Sequence, residues 1–331
     1  MSGIIGHVTY AILAAREAES RGLAIAPVLR RNWASYLCGS YLGCDIQTLP
    51  EAICVDTGRE VGYGTVPVSK SPITGGPVKP WKLVFGGREY TPREIHTIFY
   101  GRSHLVFGWS REEQNLQEPW DHLGDYFRWA AEDALALFPP GERSLAYLMG
   151  TLAHVVGDSL IKSVHPGIHL HLLDGKYTPR NRPIQDLVTF HEIGRKELKL
   201  DWPSLLAELA STPVEPVQAH TMRVGEKRGE LGRNVPTGWR ADLAPLLDRV
   251  LAENRRYLKA LIPETLQELQ LEPSAQGLDC SAKLREISGL HYAEMVKLAD
   301  EAGFRAALQN VGEAIADHFP ADAILRTANK T

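Results

Sequence analysis

The chain has 331 residues, with 36 Lys and Arg against 40 Asp and Glu, a net charge of −4 and 44% apolar residues. This is the balance of an ordinary globular chain able to bury one large core or two modest ones, and it excludes a disordered tail, a fibre and a small disulfide scaffold. The longer apolar stretches, such as Leu148 to Val156, are broken by Gly150, Thr151 and His154 and fall short of the ~20 residues that cross a bilayer, while the acidic surplus argues against a broad grip on duplex nucleic acid.

Ile4 to Ser20 carries apolar residues at helical spacing and stops at Arg21-Gly22, which predicts an amphipathic helix ended by glycine. The segment before it has no basic stretch and no cleavage-site pattern, so the expectation is a first helix of the mature fold and a cytoplasmic protein. A second helix is expected from Pro27 to about Tyr41. Glycine and proline then become frequent over residues 55–90, with short β-branched or aromatic runs, predicting a small β-hairpin or loop insertion. Thr91-Pro92-Arg93-Glu94 has the spacing of a capping box and predicts a short helix carrying His96.

Further helices are expected from Pro119 to Phe138 and from Arg143 to about Ser163, the latter bounded by His165-Pro166. A proline-bearing loop covers 166–183, and helix resumes from Ile184 to Leu200. Helical runs follow at Pro203 to Ala210, Ala241 to Ile262, Ser281 to Glu301 and Phe304 to Phe319. The reading is a mostly α, multi-helix bundle forming a single domain over 1–331, with a core over 1–200 and C-terminal helices over 201–331. The four cysteines, Cys38, Cys44, Cys54 and Cys280, lack the spacing of a zinc knot or a disulfide framework and read as buried thiols.

Histidine stands out. Twelve are present, and His154, His165, His169 and His171 fall within 18 residues. At about 100° per residue, His154 lies about 180° from Leu145 and the apolar stripe of Leu148, Met149, Leu152 and Val156. Asp158 lies one turn along the same side, and an i, i+4 His/Asp pair can grip one metal ion from a single helix face. Gly150, Thr151 and Gly157 share that face, and their small side chains predict room beside it. Imidazole mixed with carboxylate suits a borderline divalent ion, with zinc the usual choice. The bland alternative is a hydrogen-bonded His154–Asp158 pair at a helix contact. His96, His122, His220, His291 and His318 read as structural.

The segment AYLMGTLAHVVGDSLIKSVHP resembles the HxxxD helix of the zinc-dependent phospholipase C family, which is related to zinc nucleases that cut single-stranded nucleic acid. GIIGHVTYAILAA resembles that family's first helix, implicating His7. GSYLGCDIQTLPE resembles the stretch supplying an aspartate, here Asp45, and GRSHLVFGW a Ser-His segment, here His104. HLGDYFRWAAEDA resembles the helix leading to the HxxxD element. The order is retained over roughly residues 3–192.

The resemblance implies two zinc ions, within a range of one to three, held by His7, Asp45, His104, His154, Asp158 and His165. Asp158 would bridge the ions, and Asp45 would be a ligand or the base that orients water. Paired ions about 3.5–4 Å apart can clamp a phosphoryl group. Downstream, the family carries a second His-to-carboxylate helix. Its best match here is Arg182 to Asp186, with arginine where histidine would stand, so Asp186 and His191 join the candidate ligands and His169, His171 and Glu192 are spare candidates. The implied activity is phosphoester hydrolysis, on a small phosphate ester or a phospholipid head group. The alternatives are a metal-stabilised binding or scaffold protein without turnover, and a zinc nuclease on single-stranded nucleic acid.

Overall fold

The computed structural model describes residues 3–42, 52–54, 81–85, 87–90, 123–161, 180–221, 245, 258–259, 261–275 and 277–320. Within these the chain is mostly α with a small sheet. The helices are α1 (Ile4–Ser20), α2 (Ala26–Arg31), α3 (Trp33–Leu42), α4 (Leu123–Leu137), α5 (Gly141–Ile161), α6 (Arg182–Leu187), α7 (Trp202–Ser211), α8 (Ala282–Ser288), α9 (Tyr292–Glu301) and α10 (Phe304–Asp317). Residues 216–221 and 261–268 are also helical. Among the described residues no helix is long and apolar enough to cross a membrane.

Most expected elements form close to their predicted bounds, and each difference has a local cause. The helix expected over 27–41 is divided at Asn32. Its side-chain amide donates to the Val28 carbonyl at 3.0 Å, ending α2, while its own carbonyl accepts from Tyr36 and opens α3. Asparagine competes with the helical ladder in this way because its short amide reaches nearby backbone. The run expected over 281–301 is divided at Gly289, which takes φ 77° at the end of α8, a conformation that costs glycine nothing. Within the insertion expected over 55–90 lie strands β2 (Trp81–Phe85) and β3 (Arg88–Tyr90), and the antiparallel sheet takes its remaining strand, β1 (Ala52–Cys54), from just before that range, in the order β1-β2-β3. The helix expected at Thr91 and most of the 241–262 run lie outside the described residues.

Two features have no counterpart in the sequence reading. Directly after α6 the chain widens into a π-helix over Val188–Glu197. The Trp202 indole stacks on Phe190 at 5.5 Å and donates its N–H to the Phe190 carbonyl at 3.1 Å. A short hairpin, β4 (Glu272–Ser274) with β5 (Gly277–Asp279), precedes α8.

Among the described residues, nearly all the buried apolar side chains from Ile4 to Phe319 belong to one cluster. At its centre α5 is buried on nearly every side: Leu145, Met149 and Leu152 on one face and Tyr147, His154 and Val155 around the rest are at most 2% exposed. The small-residue face of α5 is therefore not open. A Cβ on Gly150 would stand 2.0 Å from the Tyr36 carbonyl oxygen, and one on Gly39 would stand 2.0 Å from that of Tyr147. The two glycines let the backbones of α3 and α5 touch, so the room predicted beside Gly150 is filled by a neighbouring helix.

Polar contacts fasten the later segments to this core. Tyr147 donates to Gln218 Oε1 at 2.5 Å, and His220 Nε2 lies 2.8 Å from Asp133 Oδ2. Cys38, a thiol as expected, donates to the carbonyl of Thr212 at 3.8 Å. Asp279 organises the C-terminal turn: it is 4% exposed and accepts from the backbone N–H groups of Cys280 and Tyr292, from Arg285 Nη1 and from His291 Nδ1.

Burial by itself would raise the Asp279 carboxyl, but the Tyr292 N–H, His291, Arg285 and the Cys280 N–H together hold it well below the usual carboxylate range. A depressed folded-state pKa stabilises the fold above the unfolded value of about 3.9, and this contribution is lost as pH falls from there toward the folded value. Asp279→Asn is expected to cost about 2–3 kcal/mol at pH 7. Urea midpoints at pH 7 and at progressively lower pH check this, the variant and wild type converging as the wild-type carboxylate protonates.

Candidate metal centre

Two residues 147 positions apart in the chain meet at the start of the site. His7 is the fourth residue of α1 and is 1% exposed; His154 sits in the second half of α5 and is fully buried. Their rings stack with centroids 3.7 Å apart and planes 5° from parallel. His154 Nδ1 lies 2.8 Å from the Ser40 carbonyl oxygen. A carbonyl only accepts, so Nδ1 carries the proton and the neutral ring has its lone pair on Nε2. Ser40 follows Gly39, so the close approach of α3 to α5 delivers that carbonyl to His154.

Tyr10, one turn after His7 on α1, contacts the His7 ring edge-to-face with centroids 5.9 Å apart. Sequence reasoning did not single it out. Its signal was the i, i+3 spacing from His7, which an apolar helix pattern absorbs without remark.

Asp158 lies in α5 one turn beyond His154. Asp186, in α6, is brought to the N-terminus of α1: a Cβ on Gly3 would stand 3.7 Å from Asp186 Oδ1 and 3.8 Å from Arg182 Nη2. Asp186 therefore arrives at the same end of α1 as His7. Arg182 Nε lies 3.4 Å from Asp186 Oδ2, so a guanidinium already faces this carboxylate. Burial raises the Asp186 carboxyl, and the Arg182 charge and hydrogen bond oppose that rise.

His191, in the π-helix, is engaged elsewhere. Its Nε2 donates to the Leu269 carbonyl at 2.7 Å, and its ring meets Tyr292 edge-to-face at 5.6 Å. Burial lowers its pKa, the Leu269 hydrogen bond working against it. With Nε2 committed, any metal role for His191 falls to Nδ1. The neighbouring Glu192, also 7% exposed, accepts from Tyr292 at 2.6 Å and from Lys196 at 2.7 Å. Burial would raise that carboxyl, and Lys196, Tyr292 and Arg305 hold it below its usual value.

Asp45, His104 and His165, with the spare candidates His169 and His171, lie outside the described residues. Among the described residues no group of three or more His, Cys, Asp or Glu side chains is gathered to hold a metal ion. Of the described candidates, His7 and His154 are in direct contact and Asp186 approaches from the N-terminal end of α1. His220, His291 and His318 are engaged with Asp133, Asp279 and the Ala314 carbonyl respectively, as expected of structural histidines.

An imidazole that ligates holds its ion in the ring plane, along the nitrogen lone pair. Rings 5° from parallel with centroids 3.7 Å apart do not aim those lone pairs at one point, so a shared ion would require one ring to turn. The backbone hydrogen bond on His154 Nδ1 is the usual outer partner of a histidine that ligates through its other nitrogen.

Comparison with family models, with curated proteins and with solved structures returned no match to this chain. The functional reading therefore rests on the residues themselves.

Proposed function

We propose that this protein is a zinc-dependent phosphoester hydrolase resembling phospholipase C, acting on a phosphate ester or a phospholipid head group. The observation that carries the reading is the contact of His7 with His154. The resemblance implicates both, from separate segments of the chain, as ligands of one centre, and their buried rings meet face to face, so that a turn of one ring would bring both to one ion. His7 and His154 would hold the ion together with Asp158, and Asp45, His104 and His165 would complete the set. Asp186 would approach it from α6, beside the N-terminus of α1.

Zinc, when bound, supplies Lewis-acid polarisation of the phosphoryl oxygens and an acidified water. The chain's own part is to bind and orient. Neutral imidazoles hold the metal charge without cancelling it, the Ser40 carbonyl keeps the Nδ1 proton on His154, and Asp45 would orient the attacking water.

Protein purified without added metal is expected to carry at least one zinc per chain by elemental analysis, and metal-dependent hydrolysis is expected from a panel of chromogenic phosphodiesters, phospholipids and single-stranded oligonucleotides. Less than about one bound ion per chain would sink the reading, since not even one ion would then be held at the proposed centre.

One observation favours the rival reading of a metal-stabilised binding protein without turnover. Arg182 faces Asp186 where the resemblance has a histidine, placing a fixed positive charge where a second ion would otherwise be held. Bound zinc with no hydrolysis across the whole panel is the result expected from that rival. Hydrolysis of oligonucleotides alone would assign the nuclease reading.

A further inference from the structure

We draw no further inference here: the strongest candidate, the cluster of Arg182, Gln185 and Asp186 on α6 beside the N-terminus of α1, belongs to the site already described, where the Asp186 carboxylate and the Arg182 guanidinium already face each other, and nothing among the described residues shows the buried Gln185 amide nitrogen pointing into it.

Discussion

Gly150→Ala is expected to lower the stability of the protein by about 3 kcal/mol, even though alanine is a better helix former than glycine by about 1 kcal/mol. The added methyl would stand 2.0 Å from the Tyr36 carbonyl oxygen and 2.7 Å from the Ser40 N. Both are backbone atoms, and neither can rotate aside as a side-chain tip can. α3 and α5 must separate, and the separation is felt along a helix that is buried on nearly every side. Gly39→Ala strikes the same seam from the other helix, 2.0 Å from the Tyr147 carbonyl oxygen. The double variant is expected to cost much less than the sum, because one displacement relieves both clashes.

Urea unfolding gives the readout, as a lower midpoint at unchanged slope. Thr151→Ala, at the half-buried neighbour on α5, is the control and is expected to cost less than 1 kcal/mol. A Gly150→Ala protein within about 0.5 kcal/mol of wild type would show that the helices do not touch as described. The same substitution carries the Ser40 carbonyl away from His154, so the proposed metal site would weaken along with the fold.

His7→Ala and His154→Ala are each expected to weaken zinc binding by at least about 100-fold, since losing even an outer partner of a ligating histidine costs about 10- to 100-fold. Were the two to ligate one ion, as proposed, they would act as a unit, and the double variant is expected to fall little further than either single one. Competition against a chromogenic zinc chelator measures this. His220→Ala, whose ring is engaged with Asp133 in the wild type, is the control and is expected to keep full affinity. Two single variants that each lose only about twofold, and that add in the double, would mean that His7 and His154 do not share an ion.

The first of these results concerns a feature that the sequence displays and disguises at once. Gly150, Thr151 and Gly157 are plainly a small-residue face on α5, and small residues there are compatible with an open cleft or with a close neighbour. The pattern along one helix carries no information about what lies opposite it. The structure decides that α3 lies against Gly150 and Tyr10 against Gly157. Likewise the helix propensity of residues 27–41 and 281–301 is legible, whereas the divisions at Asn32 and Gly289 depend on which backbone groups those residues meet. The widening of the helix after Leu187 was not legible at all. Its hydrogen bonds follow the same residues that would make an ordinary helix, and the carbonyl of Phe190 is occupied by the indole of Trp202, twelve residues away.

By itself the sequence determined the helical class, a small hairpin or loop insertion after α3, and the bounds of α1 and most of α5, whereas a link between His7 and His154 was only what the resemblance implied. Those properties are written in periodicity and in turn residues, which are local. Only the tertiary structure decided that His7 stacks on His154, that a carbonyl of α3 sets the proton on one of them, and that His191 is turned to Leu269. Those are contacts between segments up to 147 residues apart. They follow from how buried helices fit against one another, and no single helix records its partner's shape.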